Sequence, residues 1–265
     1  MAKESIIDDS KPNAGRMYDY YLGGNHNFEV DRQAAEQVIT LMPFAPKGAR
    51  LQRWALQDIA AELTQRRNYD VIIDFASGLP TNDHIHEIAP EGTTIIYSDY
   101  DPVVVEYARD ILGDTPNVYF FEADAAKPEA LLERPEVQEI LGDKRKVGFV
   151  MWGVSAFLTD EVIDNTARYI YDWAAPGSCL AFNAQGADLP QNPMLDQTFA
   201  IYEKLGSKFH RRSLDQFRGL LQPWQMDQDF ISLLEWHGFD ESELAREDLE
   251  MIGPLAGGYG AYLIK

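Results

Sequence analysis

Three acidic side chains lie at or just after the ends of three apolar segments of this 265-residue chain. Asp74 lies within the first segment, Asp99 directly follows the second, and Asp124 comes shortly after the third. If these segments are parallel strands, their carboxyl ends share one edge of the sheet, where open α/β sheets bind nucleotides. A carboxylate accepts two hydrogen bonds, so Asp99 is predicted to bind both hydroxyls of a ribose.

The turn after the first segment argues against a dinucleotide. Residues 76–81 read Ala-Ser-Gly-Leu-Pro-Thr, and Gly78 is their single glycine, whereas the dinucleotide fingerprint needs three glycines around a pyrophosphate. The turn instead suits a ligand without phosphates, such as S-adenosylmethionine. The small residues Ala76 and Gly78 are predicted to let the backbone approach its methionine portion. A Rossmann NAD(P)-dependent oxidoreductase stays the less favoured alternative.

The remaining parts of such a ligand can be matched to nearby residues. Asp74 is predicted to hold the amino group, and Tyr100 to lie along the adenine face. Asp124 is predicted to accept from the adenine amino group while the Ala125 amide donates to a ring nitrogen. The alternative is that these acids only cap helices and form turns.

Strand-like and helix-like segments alternate from residue 71 onward, which predicts a parallel sheet buried on both faces. The predicted strands cover 71–75, 94–98, 118–121, 147–152 and 178–183, and the predicted helices cover 101–112, 128–132 and 160–173. The predicted fold is therefore α/β, with a Rossmann-like, seven-stranded, mostly parallel sheet flanked by helices, an antiparallel last strand and an N-terminal helical cap.

The chain is predicted to form a single domain, 1–265, with four parts. Residues 1–67 form the N-terminal helical cap, with helices near 29–41 and 47–67, and residues 68–185 form the cofactor-binding core. Residues 186–248 form a helical lid or substrate wall, including a helix at 227–237. Residues 249–265 supply closing strands, predicted as an antiparallel pair of 249–252 with 259–264.

Several motifs carry a resemblance to a known family. Residues 16–32 resemble the amino-terminal signature of an actinobacterial family of S-adenosylmethionine-dependent methyltransferases, first described as a domain of unknown function. Further similar stretches lie at 74–81, 86–87 and 97–104, in the family's order. Family members tend to carry glycine and threonine where this chain has Ala76 and Ser77. The resemblance implies a class I methyltransferase fold and S-adenosylmethionine as cofactor.

The aromatic residues of the signature predict packing over the cofactor cleft. Tyr18 and Tyr21 are predicted to contact the cofactor, where an aromatic face near a sulfonium gains about 0.5–2 kcal/mol. Arg16 is predicted to pair with the methionine carboxylate, with an ordinary surface arginine as the equal alternative. A helix that merely covers the sheet edge is the alternative for the whole segment.

Methyl transfer from a sulfonium chiefly requires alignment and a dry cavity, so no catalytic residue is assigned. Trp152, after the fourth strand, is predicted to line the transfer cleft, and Phe199, Tyr202 and Phe209 to shape a pocket for a small-molecule acceptor. His84 and His86 are predicted to be structural, because positions two apart on a helix do not face each other. A non-catalytic, regulatory S-adenosylmethionine-binding protein is the other alternative.

The amino-acid composition argues against several classes of binding partner. The net charge of −20 repels phosphate backbones, which argues against nucleic acid. No window is apolar enough to span a membrane, the start lacks the features of a signal peptide, and no metal site is predicted. The lone cysteine, Cys179, lies in an apolar run, so a cytoplasmic location is predicted; the oligomeric state is left open.

Overall fold

The computed structural model describes residues 10–81, 83–238, 246 and 258–265, and its centre is a seven-stranded sheet. The strand order is β3-β2-β1-β4-β5-β7-β6, in which β1 to β5 are parallel and β7 runs antiparallel to both neighbours. The strands are β1 Val71–Phe75, β2 Thr94–Asp99, β3 Val118–Glu122, β4 Gly148–Met151, β5 Cys179–Ala184, β6 Gln225–Ser232 and β7 Tyr259–Ile264. The predicted fold class is confirmed.

Helices cover both faces of the sheet and one end of it. They are α1 Ala14–Tyr21, α2 Glu29–Leu41, α3 Ala45–Ala61, α4 Ile85–Ile88, α5 Pro102–Leu112, α6 Pro128–Leu132, α7 Pro135–Leu141, α8 Asp160–Trp173, α9 Pro193–Lys204, α10 Leu214–Leu220 and α11 Leu233–Trp236. The predicted bounds of α2, α6 and α8 are confirmed. The predicted helix 47–67 is α3 continued by a π-helical turn, Glu62–Arg66.

The central strands are buried on both faces because successive side chains enter different cores. All five residues of β1 are buried. Ile72 packs in the core beneath α3 and α5, whereas Ile73 and Phe75 pack in the core beneath α6 to α8. This double burial produces the continuous apolar runs that the sequence shows.

An ion-pair cluster docks the helical cap on the sheet. The side chain of Asn13 donates to Asp101, the N-cap of α5, at 2.6 Å, and its backbone amide donates to Asp31 at 2.8 Å. The Arg16 guanidinium donates to Asp31 at 2.8 Å and lies 3.8 Å from Asp101. All three charged groups are buried, so the cap is fixed at the edge of the sheet by paired charges.

The predicted helix at 227–237 is wrong for most of its length, because residues 225–232 form β6 at the sheet edge. This strand reads Gln-Met-Asp-Gln-Asp-Phe-Ile-Ser, and four of its eight residues are exposed. Edge strands commonly carry charged residues, which prevent pairing with another chain. β7 therefore pairs with β5 and β6, and the predicted strand 249–252 lies outside the described residues.

No helix within the described part of the chain combines the length and apolarity needed to cross a membrane. Even α3, the longest helix in the described ranges, carries the charged residues Lys47, Arg50, Arg53 and Asp58.

Gly260 is predicted to be essential for packing across β7. A Cβ there would lie 2.6 Å and 2.7 Å from ring atoms of Trp236 and 2.8 Å from Trp152. Overpacking of this kind costs about 1–3 kcal/mol, so Gly260→Ala should lower the free energy of unfolding by that amount in urea titrations. Gly219→Ala is the matched control, since its Cβ meets nothing within 4 Å. Equal stability of the two variants would contradict the packing argument.

Candidate active site

The turn after β1 is shaped by two left-handed residues, Ala76 at φ 54° and Gly78 at φ 65°. The Ser77 amide donates to the Ser98 carbonyl at 2.8 Å, and the Gly78 amide donates to the Asp99 carboxylate at 3.1 Å. Ala76 occupies a backbone region that glycine enters freely and other residues enter at a cost. The turn is thus tied directly to the end of β2.

Asp99 anchors this corner of the sheet. One oxygen accepts from the Asp101 amide at 2.9 Å and the other from the Gly78 amide. Burial raises the pKa of Asp99 to about 6, against which these backbone donors act. The carboxylate is therefore a buried acceptor at the carboxyl end of β2, with further lone pairs facing the neighbouring cleft.

A buried network supports the same turn from below. The hydroxyl of Tyr97 lies 2.9 Å from Nδ1 of His84 and 3.1 Å from Nδ1 of His86. Because Nδ1 of His84 also accepts from the Ile85 amide, its proton lies on Nε2, which donates to the Ser77 carbonyl at 3.3 Å. Burial lowers the pKa of His84 well below its usual value, so the ring is neutral.

The predicted structural role of both histidines agrees with these contacts. Helical spacing is not the reason for this role. His84 precedes α4 as its N-cap, and both rings contact the Tyr97 hydroxyl. Within the described residues, no group of histidine, cysteine and acidic side chains could hold a metal ion.

A cleft of about 210 Å³ opens above the turn. Its walls include seven of the eleven residues predicted to bind the cofactor: Tyr18, Tyr21, Ala76, Gly78, Asp99, Tyr100 and Trp152. Tyr100 is 60 % exposed, so its ring is available at the mouth of the cleft. Four other predicted residues do not line it, namely Arg16, Asp74, Asp124 and Ala125.

Asp74 lies beneath the cleft rather than on its wall. It is 2 % exposed, and its Oδ2 atom has no hydrogen-bond partner among the described residues. Desolvation raises the pKa of Asp74 to about 8, with the nearby Arg53 guanidinium acting in the opposite direction. At neutral pH the Asp74 side chain is thus largely protonated and uncharged, buried below the turn.

Arg53 lines the cleft, although the sequence did not single it out. It lies on α3, is 5 % exposed and lines the cleft, and no described residue bonds its Nε or Nη1 atom. Its guanidinium lies 5.8 Å from the ring centroid of Tyr18, and Nη2 donates to the Leu79 carbonyl at 3.4 Å. The sequence pattern could have indicated its burial, because Arg53 falls between Ala49 and Leu56 on the buried face of an amphipathic helix.

Arg16 has a different position from the one expected. Its Nε atom donates to Asp31, Nη2 donates to the Lys11 carbonyl at 2.6 Å, and the guanidinium lies 5.1 Å from the ring centroid of Phe28. These contacts use the Arg16 side chain to dock the helical cap. Asp124 is exposed and accepts from the Ala126 amide at 2.9 Å, and the Ala125 carbonyl accepts from Thr166.

The far side of the cleft is aromatic and partly polar. The hydroxyls of Tyr21 and Tyr202 lie 3.1 Å apart and join α1 to α9. Trp152 Nε1 and Gln185 Oε1 are buried and lack hydrogen-bond partners within the described ranges. Of the residues predicted to shape an acceptor pocket, Tyr202 lines the cleft, whereas Phe199 and Phe209 stack on each other at 4.0 Å behind it.

A sequence model of the S-adenosyl methyltransferase family matches residues 1–258. The chain belongs to this family. S-adenosylmethionine is therefore its methyl donor, and the chain is a methyltransferase, as the resemblance implied. No curated protein matches the chain in a sequence comparison.

Solved structures share the fold over nearly the whole chain. A candidate methyltransferase from Thermobifida fusca YX is 27 % identical with a TM-score of 0.85, covering 97 % of this chain and 96 % of that one. A DUF574 family protein from Streptomyces avermitilis MA-4680 is 22 % identical, with a TM-score of 0.85 and coverages of 97 % and 99 %. Human N-acetylserotonin methyltransferase in complex with its methyl donor is 15 % identical at a TM-score of 0.53, with coverages of 96 % and 63 %.

Asp74 should make stability fall as pH rises. Its pKa is raised from 3.8 to about 8, so the native state keeps a proton that the unfolded state releases between these values. Stability is highest below the unfolded pKa and is lost as pH rises toward the folded one. Asp74→Asn should flatten this dependence, leaving the smaller part due to Asp99, and its stability gain over wild type should grow from about pH 5 to about pH 8.

Urea unfolding of both proteins without donor, at several pH values in this window, measures the difference. Parallel curves for the two proteins would show that Asp74 has an ordinary pKa.

Proposed function

We propose that this protein transfers the methyl group of S-adenosylmethionine to a small-molecule acceptor in the cleft above the turn after β1. The observation that carries the proposal is a set of buried polar atoms around this cleft, on Arg53, Asp74 and Trp152, that have no hydrogen-bond partner among the described residues. Buried polar groups are nearly always hydrogen-bonded in native proteins, so such a cluster points to a ligand. S-adenosylmethionine supplies an electrophilic methyl group on a sulfonium.

The nucleoside end of the donor suits the β2 side of the cleft. Asp99 presents a carboxylate with free lone pairs, which we assign to the two ribose hydroxyls. Tyr100, exposed at the mouth, is assigned to the adenine face. Asp124 and the Ala125 amide, which follow β3 beside β2, stay assigned to the adenine edge.

The methionine end suits the buried groups below the cleft. Arg53, two of whose nitrogens bond to no described residue, is assigned to the carboxylate in place of Arg16. Asp74 is assigned to the amino group, directly or through water, and an ammonium there would return its pKa toward the ordinary range. Ala76 and Gly78 place small residues where the backbone meets the ligand.

The residues of the cleft act by alignment and by exclusion of water. Tyr18, Tyr21 and Trp152 present aromatic surface, and an aromatic face stabilises a sulfonium by about 0.5–2 kcal/mol. We propose that the described part of segment 1–67 caps the cleft and the described part of segment 186–248 walls it, so that the acceptor attacks in a dry space. His84 and His86 are committed to Tyr97, so neither is assigned as a general base.

The proposed setting is the cytoplasm, with a small molecule rather than nucleic acid as partner. The net charge of −20 supports the second part, because such a surface repels phosphate backbones. The buried free thiol of Cys179 is compatible with a reducing compartment.

Calorimetry and a labelled-methyl assay test the proposal together. S-adenosylmethionine and S-adenosylhomocysteine should bind, NAD should not, and label should pass to a low-molecular-weight compound in a metabolite extract. Asp99→Ala should weaken donor binding at least about tenfold, because hydrogen bonds to a charged acceptor are lost. Binding of NAD alone, or full affinity in a folded Asp99→Ala variant, would refute the assignment.

Two arginine variants separate donor binding from docking of the cap. Arg53→Gln should weaken donor binding at least about tenfold with little loss of stability, since a charge-assisted contact is removed from the ligand. Arg16→Gln should destabilise the fold by about 3–5 kcal/mol, because Asp31 is left buried without its partner. Calorimetry and urea unfolding of both variants measure the two effects. The opposite pattern would restore Arg16 as the carboxylate ligand.

A further inference from the structure

A second cavity lies beside the donor cleft and shares one residue with it. This side cavity, of about 400 Å³, is bounded by the Gly24–His26 turn of the cap, by α3 and by the chain after β1. Arg53 lines both spaces, so the two cavities adjoin at this residue. From α3, Arg50 and Trp54 also face the side cavity.

The polar lining of the side cavity is cationic, in a chain of net charge −20. Arg50 and Arg53 both line it, and the only acid on its described walls is Asp83. His26 adds a ring whose Nδ1 atom is buried and unbonded within the described chain. Concave sites lined by one sign of charge raise the local concentration of oppositely charged ligands.

A buried acid next to the side cavity, Asp19, holds the turn through its Oδ2 atom. Asp19 accepts from the His26 amide at 2.9 Å and from the Asn27 side chain at 2.8 Å, which fixes the turn that forms one wall. Its Oδ1 atom lies 4.0 Å from Nδ1 of His26, which is beyond hydrogen-bond distance. The His26 ring is therefore held in place while its Nδ1 atom keeps no close partner.

The volumes of the two cavities also favour binding of a second molecule beside the donor. Ligand pockets commonly measure about 300–1,000 Å³, and the donor cleft, at about 210 Å³, is small for two molecules. Apart from Arg53, the residues assigned to the donor, such as Asp99 and Tyr100, lie outside the side cavity. The side cavity provides polar and aromatic surface, including the Trp54 indole, that the donor does not use.

We propose that the side cavity binds the anionic end of the acceptor, a carboxylate or a phosphate, through Arg50 and His26. The reacting atom of the acceptor then lies in the donor cleft, beyond Arg53. This inference rests on the proposed methyl transfer to a small molecule. It limits the acceptor to compounds that carry an oxyanion at one end and extend past the guanidinium of Arg53.

Matched probes test the charge requirement with the full chain saturated with S-adenosylhomocysteine. The probes are 4-hydroxybenzoate, phenyl phosphate and the neutral 4-hydroxybenzamide, titrated by calorimetry or ligand-observed NMR. At least one anionic probe should bind about tenfold or more tightly than the amide, as expected for a charge-assisted contact. Comparing the two anions tells which oxyanion the cavity favours. Equal binding of all three, or no binding of either anion, would overturn the proposal.

Arg50→Gln should abolish the preference for the anion while leaving the binding of S-adenosylhomocysteine intact. The matched control is Arg109→Gln on α5, which removes the same charge from a residue that lines neither cavity. A preference that survives in Arg50→Gln, or that is lost equally in both variants, refutes the assignment. Failure of S-adenosylhomocysteine to bind wild-type protein would instead refute the proposed donor site, which keeps the two conclusions separate.

Discussion

The hydrogen bond from the Gly78 amide to the Asp99 carboxylate is the contact on which the site depends. It joins the turn after β1 to the end of β2 and places small residues beside a buried acceptor. The parallel pairing of β1 with β2 makes the contact possible, because it aligns Phe75 with Ser98 and so brings both carboxyl ends together. Every later feature of the cleft is arranged around this corner.

The sheet could be predicted wherever burial on both faces left an unambiguous apolar run, as in β1 and β5. β6 was not predicted as a strand because an edge strand needs only one buried face, and its exposed acids resemble the polar face of a helix. Local patterns record how much of a segment is buried. They do not record which partner strand completes its hydrogen bonds, so the neighbours of β7 had to come from the structure.

The cleft likewise contains residues that the sequence predicts and residues that it does not. Asp99 and Gly78 follow from strand ends, whereas Arg53 does not, because its role depends on α3 lying over a turn that follows it in sequence. The partner of Arg16 could not be read from the sequence, because an arginine within an aromatic segment suits an anionic ligand and a buried carboxylate equally well. The deciding fact is the position of Asp31, fifteen residues away in sequence and 2.8 Å away in space.

The position of β7 has a consequence for how the protein acquires its fold. This strand lies between β5 and β6 and pairs with both, so the two earlier strands cannot share a ladder without it. Its contacts with β5 join residues about eighty positions apart, such as Leu180 and Leu263. Contacts of such sequence separation form late, because the entropy of closing a long loop comes before any pairing. Until β7 inserts, both of its neighbours present open edges, and the nascent chain is most prone to aggregate at that stage.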